Sequence, residues 1–232
     1  MASKTCVITG ASRGIGLATA LRFARQGMNV VAAARGAEGL EHAAESIRSA
    51  GGTCEAVVAD VAQAADAARL IVRARERFGR VDVLVNNAGC AVLKPLPELS
   101  HEDFDDQLAV NVGGVFHVTQ AAWPVMVEQG GGVIVNVSSL SSVDPFRGFS
   151  VYGACKAWVN LFTQAAASEG KDVGIRVYAV APGAVETGLL RNIFPDLPAA
   201  HLLEPEQVAE VITSLCEERL SPCSGQTFFV RK

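Results

Sequence analysis

The feature that most constrains this chain is an alternation of short apolar runs with longer segments of helical periodicity, joined by glycine or small polar residues. The first run, 5–9, passes directly into Gly10-Ala11-Ser12-Arg13-Gly14-Ile15-Gly16, after which Leu17, Ala20, Leu21 and Ala24 recur at helical spacing until Gly27. Further β-branched or apolar runs lie at 30–34, 53–59, 81–85, 133–137, 175–180 and 225–230. Helical segments at 36–50, 64–78, 152–168 and 205–218 separate most of them, with one long helix from Ser100, a fair N-cap, through Met126 and bent near Pro124. Strand and helix in strict alternation predict a doubly wound parallel α/β sheet of about seven strands with helices on both faces. There is no internal repeat or linker, and 232 residues fit one domain, 1–232, with a polar, proline-broken substrate loop at about 187–203.

In such sheets ligands sit beyond the carboxyl ends of the strands. Gly10 to Gly16, Arg35, Asp60 and Val61, and Asn86-Asn87-Ala88-Gly89 all fall at those ends. Glycines in a strand–turn–helix context let a pyrophosphate approach backbone N–H groups at a helix N-terminus, although glycine turns also join strands to helices in many α/β proteins. The second strand ends Ala33-Ala34-Arg35, with no acid to hold the adenine ribose hydroxyls. Arg13 and Arg35 instead suit a 2′-phosphate, so the residues favour NADP(H), with NAD(H) also open. Glu38 and Glu41 fall on the next helix.

Tyr152 and Lys156 are four apart, hence neighbours on one helical face. A free phenol titrates near pH ~10, and a fixed neighbouring cation lowers that value. A shift of about three units corresponds to roughly 4 kcal/mol, which a close lysine and a charged cofactor supply between them. On this reading Tyr152 is a general acid/base; the alternative is a surface Tyr and Lys without chemistry. Asn111 is a polar residue inside the long helix and must find partners, as a functional group or as a helix-bending core asparagine.

A net charge of −4 with dispersed basic residues offers no field for nucleic acid or acidic membranes. No apolar run approaches the ~18 residues of a membrane span, and Met1-Ala2-Ser3-Lys4 leaves no room for a signal peptide before the first strand. The six cysteines form no CxxC pair or metal-ligand cluster and the four histidines no HExxH, so no metal is expected. Free thiols in a reducing cytoplasm are the expectation, with Cys90 and Cys155 bordering the proposed site as inert core or as redox-sensitive thiols.

With these residues in place the chain resembles the short-chain dehydrogenase/reductase family over essentially its whole length, its 3-oxoacyl-carrier-protein-reductase-like members in particular. Thr9-Gly10-Ala-Ser-Arg-Gly14-Ile-Gly16 resembles the TGxxxGxG loop, Asn86-Asn87-Ala88-Gly89 the NNAG strand end, and Tyr152-Gly-Ala-Cys-Lys156 the YxxxK motif. Pro182-Gly183-Ala-Val185-Glu-Thr187 resembles the nicotinamide-side PG motif. Ser139, thirteen residues before Tyr152, has the family's spacing, with Ser138 as its rival. The resemblance implies a Rossmann-type single domain. It also implies that Tyr152 exchanges the proton, Ser139 binds the substrate oxygen, Lys156 lowers the phenol pKa and holds the ribose, and Asn111 positions a relay water. Asp60 and Val61 would contact adenine; Thr187 and the Val185 backbone would grip the carboxamide.

The expected activity is NADPH-dependent reduction of a ketone or aldehyde, with an NAD-dependent secondary-alcohol dehydrogenase or a catalytically silent cofactor-binding regulator as alternatives. Val92, Leu93, Phe146, Leu189, Leu190 and Phe194 suggest a hydrophobic substrate pocket for a small-molecule carbonyl or alcohol. The family implies a homodimer through helices 103–128 and 152–168, or a homotetramer. The chain stops at Lys232 without the glycine-rich tail of many relatives, which puts the tetramer in question, and Tyr178 departs from the family's asparagine.

Overall fold

The structure is a computed structural model describing residues 3–232; Met1 and Ala2, part of the signal-peptide reading, lie outside the described residues. Seven strands, β1 (Thr5–Thr9), β2 (Asn29–Ala34), β3 (Thr53–Val58), β4 (Val83–Asn86), β5 (Gly132–Val137), β6 (Ile175–Pro182) and β7 (Thr227–Val230), form one all-parallel sheet in the order β3-β2-β1-β4-β5-β6-β7. Its eight α-helices are α1 (Gly14–Arg25), α2 (Ala37–Ser49), α3 (Ala64–Phe78), α4 (His101–Leu108), α5 (Gly114–Glu128), α6 (Ser150–Gly170), α7 (Gly188–Ile193) and α8 (Pro205–Leu215). This is the Rossmann-type doubly wound sheet that the alternation predicts.

The strand period of two divides the core. Cys6 and Ile8 of β1 pack with α1, α2 and α8 residues such as Phe23, Leu40 and Ile212, whereas Val7 faces the other way onto Leu70 of α3, Met126 of α5 and Ala166 of α6. Every residue of β1 is buried, as expected for a central parallel strand covered on both faces. The order reverses between β1 and β4, so a crevice opens beyond their carboxyl ends.

Two expectations need correction. The segment from Ser100 to Met126 is not one continuous α-helix bent at Pro124: α4 and α5 are joined by a π-helical turn, Ala109–Gly113, while α5 runs through Pro124 to Glu128. The turn is centred on Asn111, whose Nδ2 donates to the Gln107 carbonyl at 3.0 Å, so a side chain occupies an acceptor within the helix. The loop after Thr187 contains the short helix α7, with Thr187 Oγ1 accepting from Leu190 N. Tyr178, where the resemblance raised altered packing, is fully buried, and its hydroxyl donates to the Leu220 carbonyl at 2.9 Å.

Candidate active site

Gly16 makes the first turn possible. A Cβ there would lie 2.3 Å from the Gly10 carbonyl oxygen and 2.5 Å from Asn87 Nδ2, and backbone cannot yield that much. Asn87 in turn donates from Nδ2 to Thr9 O (2.9 Å) and Gly10 O (3.1 Å), while Thr9 Oγ1 accepts from Asn87 N and Ala88 N. The β1 and β4 strand ends are thereby clamped to each other. Helix α1 starts at Gly14 with no side-chain cap and no acid in its first turn. Its first N–H groups, orphaned by helix geometry, lie beside the cavity-lining residues Gly14 and Ile15. A twelve-residue helix with an uncapped N-terminus fits an anionic pyrophosphate in both charge and donor chemistry.

A cavity of about 930 Å3 runs from this helix end across the crevice. Ala34, Arg35, Asp60 and Val61 line one part of it; Ser139, Tyr152 and Lys156 line another, with Pro182, Gly183, Val185 and Thr187 on a third side. Gly10, Ser12, Arg13, Asn87, Ala88 and Gly89 also face it. The sequence-selected residues thus converge, with two exceptions: Gly16 and Asn111 do not line the cavity. Gly16 acts through the turn. Asn111 is fully buried, its amide hydrogens spent on Cys90 O (2.9 Å) and Gln107 O, while its Oδ1 accepts from Cys90 N at 3.3 Å.

Helix α6 supplies Tyr152 and Lys156 on one face, as the spacing requires. Lys156 Nζ lies 5.7 Å from the Tyr152 ring centroid and donates to the Val137 carbonyl at 2.9 Å. The β4–β5 pairing ends at Asn86↔Asn136, and the next free amide on that side, Ala88 N, has turned to Thr9 Oγ1. The Val137 carbonyl is left to the lysine. Burial lowers the Lys156 pKa to about 8, and burial raises that of Tyr152 to about 12, against a smaller downward pull from the Ser139 hydroxyl. The expectation that Lys156 lowers the phenol pKa is therefore not met in the free protein. Desolvation outweighs a cation that sits against the ring face and is engaged elsewhere.

The two serines separate cleanly. Ser138 is buried and its hydroxyl donates to the Lys156 carbonyl at 3.1 Å. Ser139 Oγ accepts from Ser141 N, makes no hydrogen bond to a backbone carbonyl among the described residues, and lies close enough to the phenol to influence it. Geometry thus agrees with spacing in preferring Ser139. Cys90 and Cys155 are free, as are the other four cysteines, and burial pushes both thiols up, which keeps them protonated and weakly nucleophilic at neutral pH.

Leu93, Phe146, Leu189, Leu190 and Phe194 line the substrate part of the cavity as expected, but Val92 does not. Phe149 and Arg147 line it as well. Phe149 packs tilted against Tyr152, ring centroids 5.2 Å apart, and meets both Phe146 and Phe194 edge-on; Arg147 lies between the two loop phenylalanines. Neither belongs to a recurring motif, and only the closed turn at Phe146–Phe149 brings them to the cavity.

The short chain dehydrogenase family matches residues 4–198. The chain is 38% identical to 3beta-hydroxysteroid dehydrogenase 1 of Eggerthella lenta, covering 98% of this chain and 92% of that protein. Among solved structures, a variant of actinorhodin polyketide ketoreductase with NADPH superposes with a TM-score of 0.94 at 33% identity, over 100% of this chain and 98% of that one. The 3-ketoacyl-(acyl-carrier-protein) reductase of Brucella melitensis complexed with NADH does so with a TM-score of 0.91 at 35% identity, over 99% and 97%. Fold, cavity and family match agree: this chain belongs to the short-chain dehydrogenase/reductase family of NAD(P)-dependent oxidoreductases.

Proposed function

We propose that the protein is a cytoplasmic NADPH-dependent reductase of a small-molecule ketone or aldehyde, with Tyr152 as proton donor. The observation that carries this reading is one continuous cavity joining an uncapped helix N-terminus and the acid-free Ala34–Arg35 strand end to Ser139 and Tyr152. The α1 N–H groups bind the pyrophosphate and Arg13 and Arg35, both exposed, pair the 2′-phosphate. Asp60 and Val61 border the adenine, and Gly183, Val185 and Thr187 orient the carboxamide. When bound, the reduced nicotinamide supplies the hydride. Tyr152, protonated at neutral pH, gives its proton to the substrate oxygen, and the Ser139 hydroxyl donates to the same oxygen as charge develops there. Lys156 keeps two further donors for the ribose while it holds the Val137 carbonyl. Asn111 fixes Cys90 behind Gly89; the relay-water role implied by the resemblance has one acceptor position left, at Oδ1.

Cofactor titration tests the preference. Charge-assisted contacts to a phosphate contribute about 1.5–3 kcal/mol each, so NADPH should bind at least about tenfold more tightly than NADH, and Arg35→Ala should narrow the gap. Equal affinities would overturn the NADPH assignment.

A homodimer through α5 and α6 fits the same surface: Leu161 (66% exposed) and Phe116 (41%) flank the stacked Trp158–Phe162 pair, whose rings are 4.7 Å apart. Light scattering should give a dimer mass for the wild type and a monomer for Leu161→Asp. A monomeric wild type would exclude the interface.

A further inference from the structure

The mouth of the substrate cavity carries a cation that the reaction does not use. Phe146, Arg147, Gly148 and Phe149 form a four-residue turn closed by Phe149 N donating to Phe146 O at 2.9 Å. Gly148 occupies its third position at φ +95°, the left-handed conformation a type II turn demands there. Its carbonyl accepts from Lys94 N at 3.2 Å, which pins the turn to the segment after β4. The turn therefore has its two phenylalanines at the feet, in edge contact at 6.3 Å, and Arg147 at the corner, lining the cavity.

The segments next to this turn carry two other cations, Lys94 on the segment that pins it and Arg191 on α7, and both are spent. Lys94 donates to Asp103 at 2.6 Å. Arg191 is bound to Glu186 and to the carbonyls of Pro195 and Leu197. Arg147, exposed, makes no ion pair or hydrogen bond among the described residues, and Asp144, the one acid in its loop, is not within pairing distance. Among the described residues the only carboxylate lining the cavity is Asp60, at the adenine end. Between Arg147 and the Tyr152 hydroxyl the wall is apolar: Phe149 against Tyr152, Phe146 against Phe149, and Phe194 of the opposite lip against both loop phenylalanines. Such a cleft accepts an apolar body with its carbonyl at Tyr152, and offers an anion at the far end an unpaired, planar, bidentate partner.

We propose that the substrate is an apolar ketone bearing a carboxylate remote from its carbonyl, and that Arg147 receives the carboxylate and so determines specificity. The proposal rests on the carbonyl-reductase reading above. A free keto acid of low molecular mass, in place of a thioester or a neutral ketone, is the class it names.

The test uses matched pairs of keto acid and methyl ester, with a short alkyl, a long alkyl and a fused-ring spacer, assayed by NADPH oxidation in the full chain. In at least one pair, kcat/KM for the acid should exceed that for the ester by about tenfold, a difference of about 1.4 kcal/mol. The gap should reside in KM and shrink at high salt. Arg147→Gln should bring acid and ester level, Arg147→Lys should restore part of the preference, and Arg147→Glu should reverse it. Titration calorimetry with the corresponding hydroxy acid and hydroxy ester should show the same ranking without turnover. Acid and ester used equally by the wild type, or a preference that survives Arg147→Gln, overturns the proposal. Turnover of neither member, nor of unbranched neutral ketones, overturns the reductase reading itself, and the two failures are thus distinct.

Discussion

Tyr152→Phe is expected to reduce kcat by about a thousandfold, the middle of the range for removal of a general acid, while NADPH affinity changes less than about threefold, well under 1 kcal/mol. The substitution deletes one oxygen and keeps the ring that packs against Phe149 at 5.2 Å and lies 5.7 Å from the Lys156 ammonium. The fold and the cofactor end of the cavity should therefore persist. Stopped-flow single turnovers on a reducible carbonyl, with cofactor affinity read by fluorescence, check both halves. Residual turnover within tenfold of the wild type would assign the proton to another group. The raised phenol pKa, about 12, also bears on direction. A neutral phenol is the form that donates to a carbonyl, so reduction draws on the populated state at pH 7. Oxidation draws on the phenolate, which burial disfavours until cofactor charge and Lys156 act on it together.

Lys156→Met carries the second large effect, and its two consequences have opposite signs. Activity should fall by at least about a hundredfold because the cation beside the reacting proton is gone. Stability at pH 7 should rise. Lys156 is 4% exposed, and its pKa drops from 10.5 to about 8 on burial. The unfolded chain thus holds the proton more tightly than the folded one, and the penalty, about 3 kcal/mol at 1.36 kcal/mol per unit, is fully present below pH 8. It is relieved as pH rises from 8 towards 10.5. Methionine keeps the apolar stem but leaves the Val137 carbonyl without its 2.9 Å donor, at about 1 kcal/mol. The variant should gain about 2 kcal/mol at pH 7, with the advantage vanishing before pH 10.5 is reached and reversing there. Urea denaturation at several pH values reads this directly; a variant less stable than the wild type at pH 7 contradicts it.

The parts of the fold legible in the sequence were those set by local chemistry. The period-two runs, the glycine turn after Thr9, and the absence of an acid at Ala34 each act over a few residues, and the parallel, doubly wound character of the sheet follows from the alternation they create. The π-helical turn at Ala109–Gly113 was not legible, because the apolar series Phe104 to Met126 has one uninterrupted period. What breaks the ladder is the Asn111 amide reaching the Gln107 carbonyl and, across the fold, Cys90. The raised phenol pKa of the free protein was not legible for a related reason. Four-residue spacing fixes the neighbour but not the depth, and at this depth desolvation exceeds the pull of a cation already engaged by Val137. Arg147 is informative only by contrast with Lys94 and Arg191, whose partners Asp103 and Glu186 are known only once the chain is folded.

The position of β1 has a consequence for how the molecule is made. It is the first strand in the chain yet lies third from the β3 edge, with β2 on one side and β4 on the other. During synthesis, β1 to β3 can pair as soon as residue 58 has emerged, but the opposite edge of β1 waits for Val83 to Asn86. Until then a strand destined for full burial presents unpaired amides and carbonyls, the condition under which strands associate between chains. Every later strand adds outward from that same edge through a helical crossover, so closure of β1 against β4 gates the remaining half of the sheet. Long crossovers between parallel partners fold slowly. The clamp of Asn87 on Thr9 and Gly10, which shapes the ligand crevice in the finished protein, is therefore also the contact that ends the nascent chain's most aggregation-prone interval.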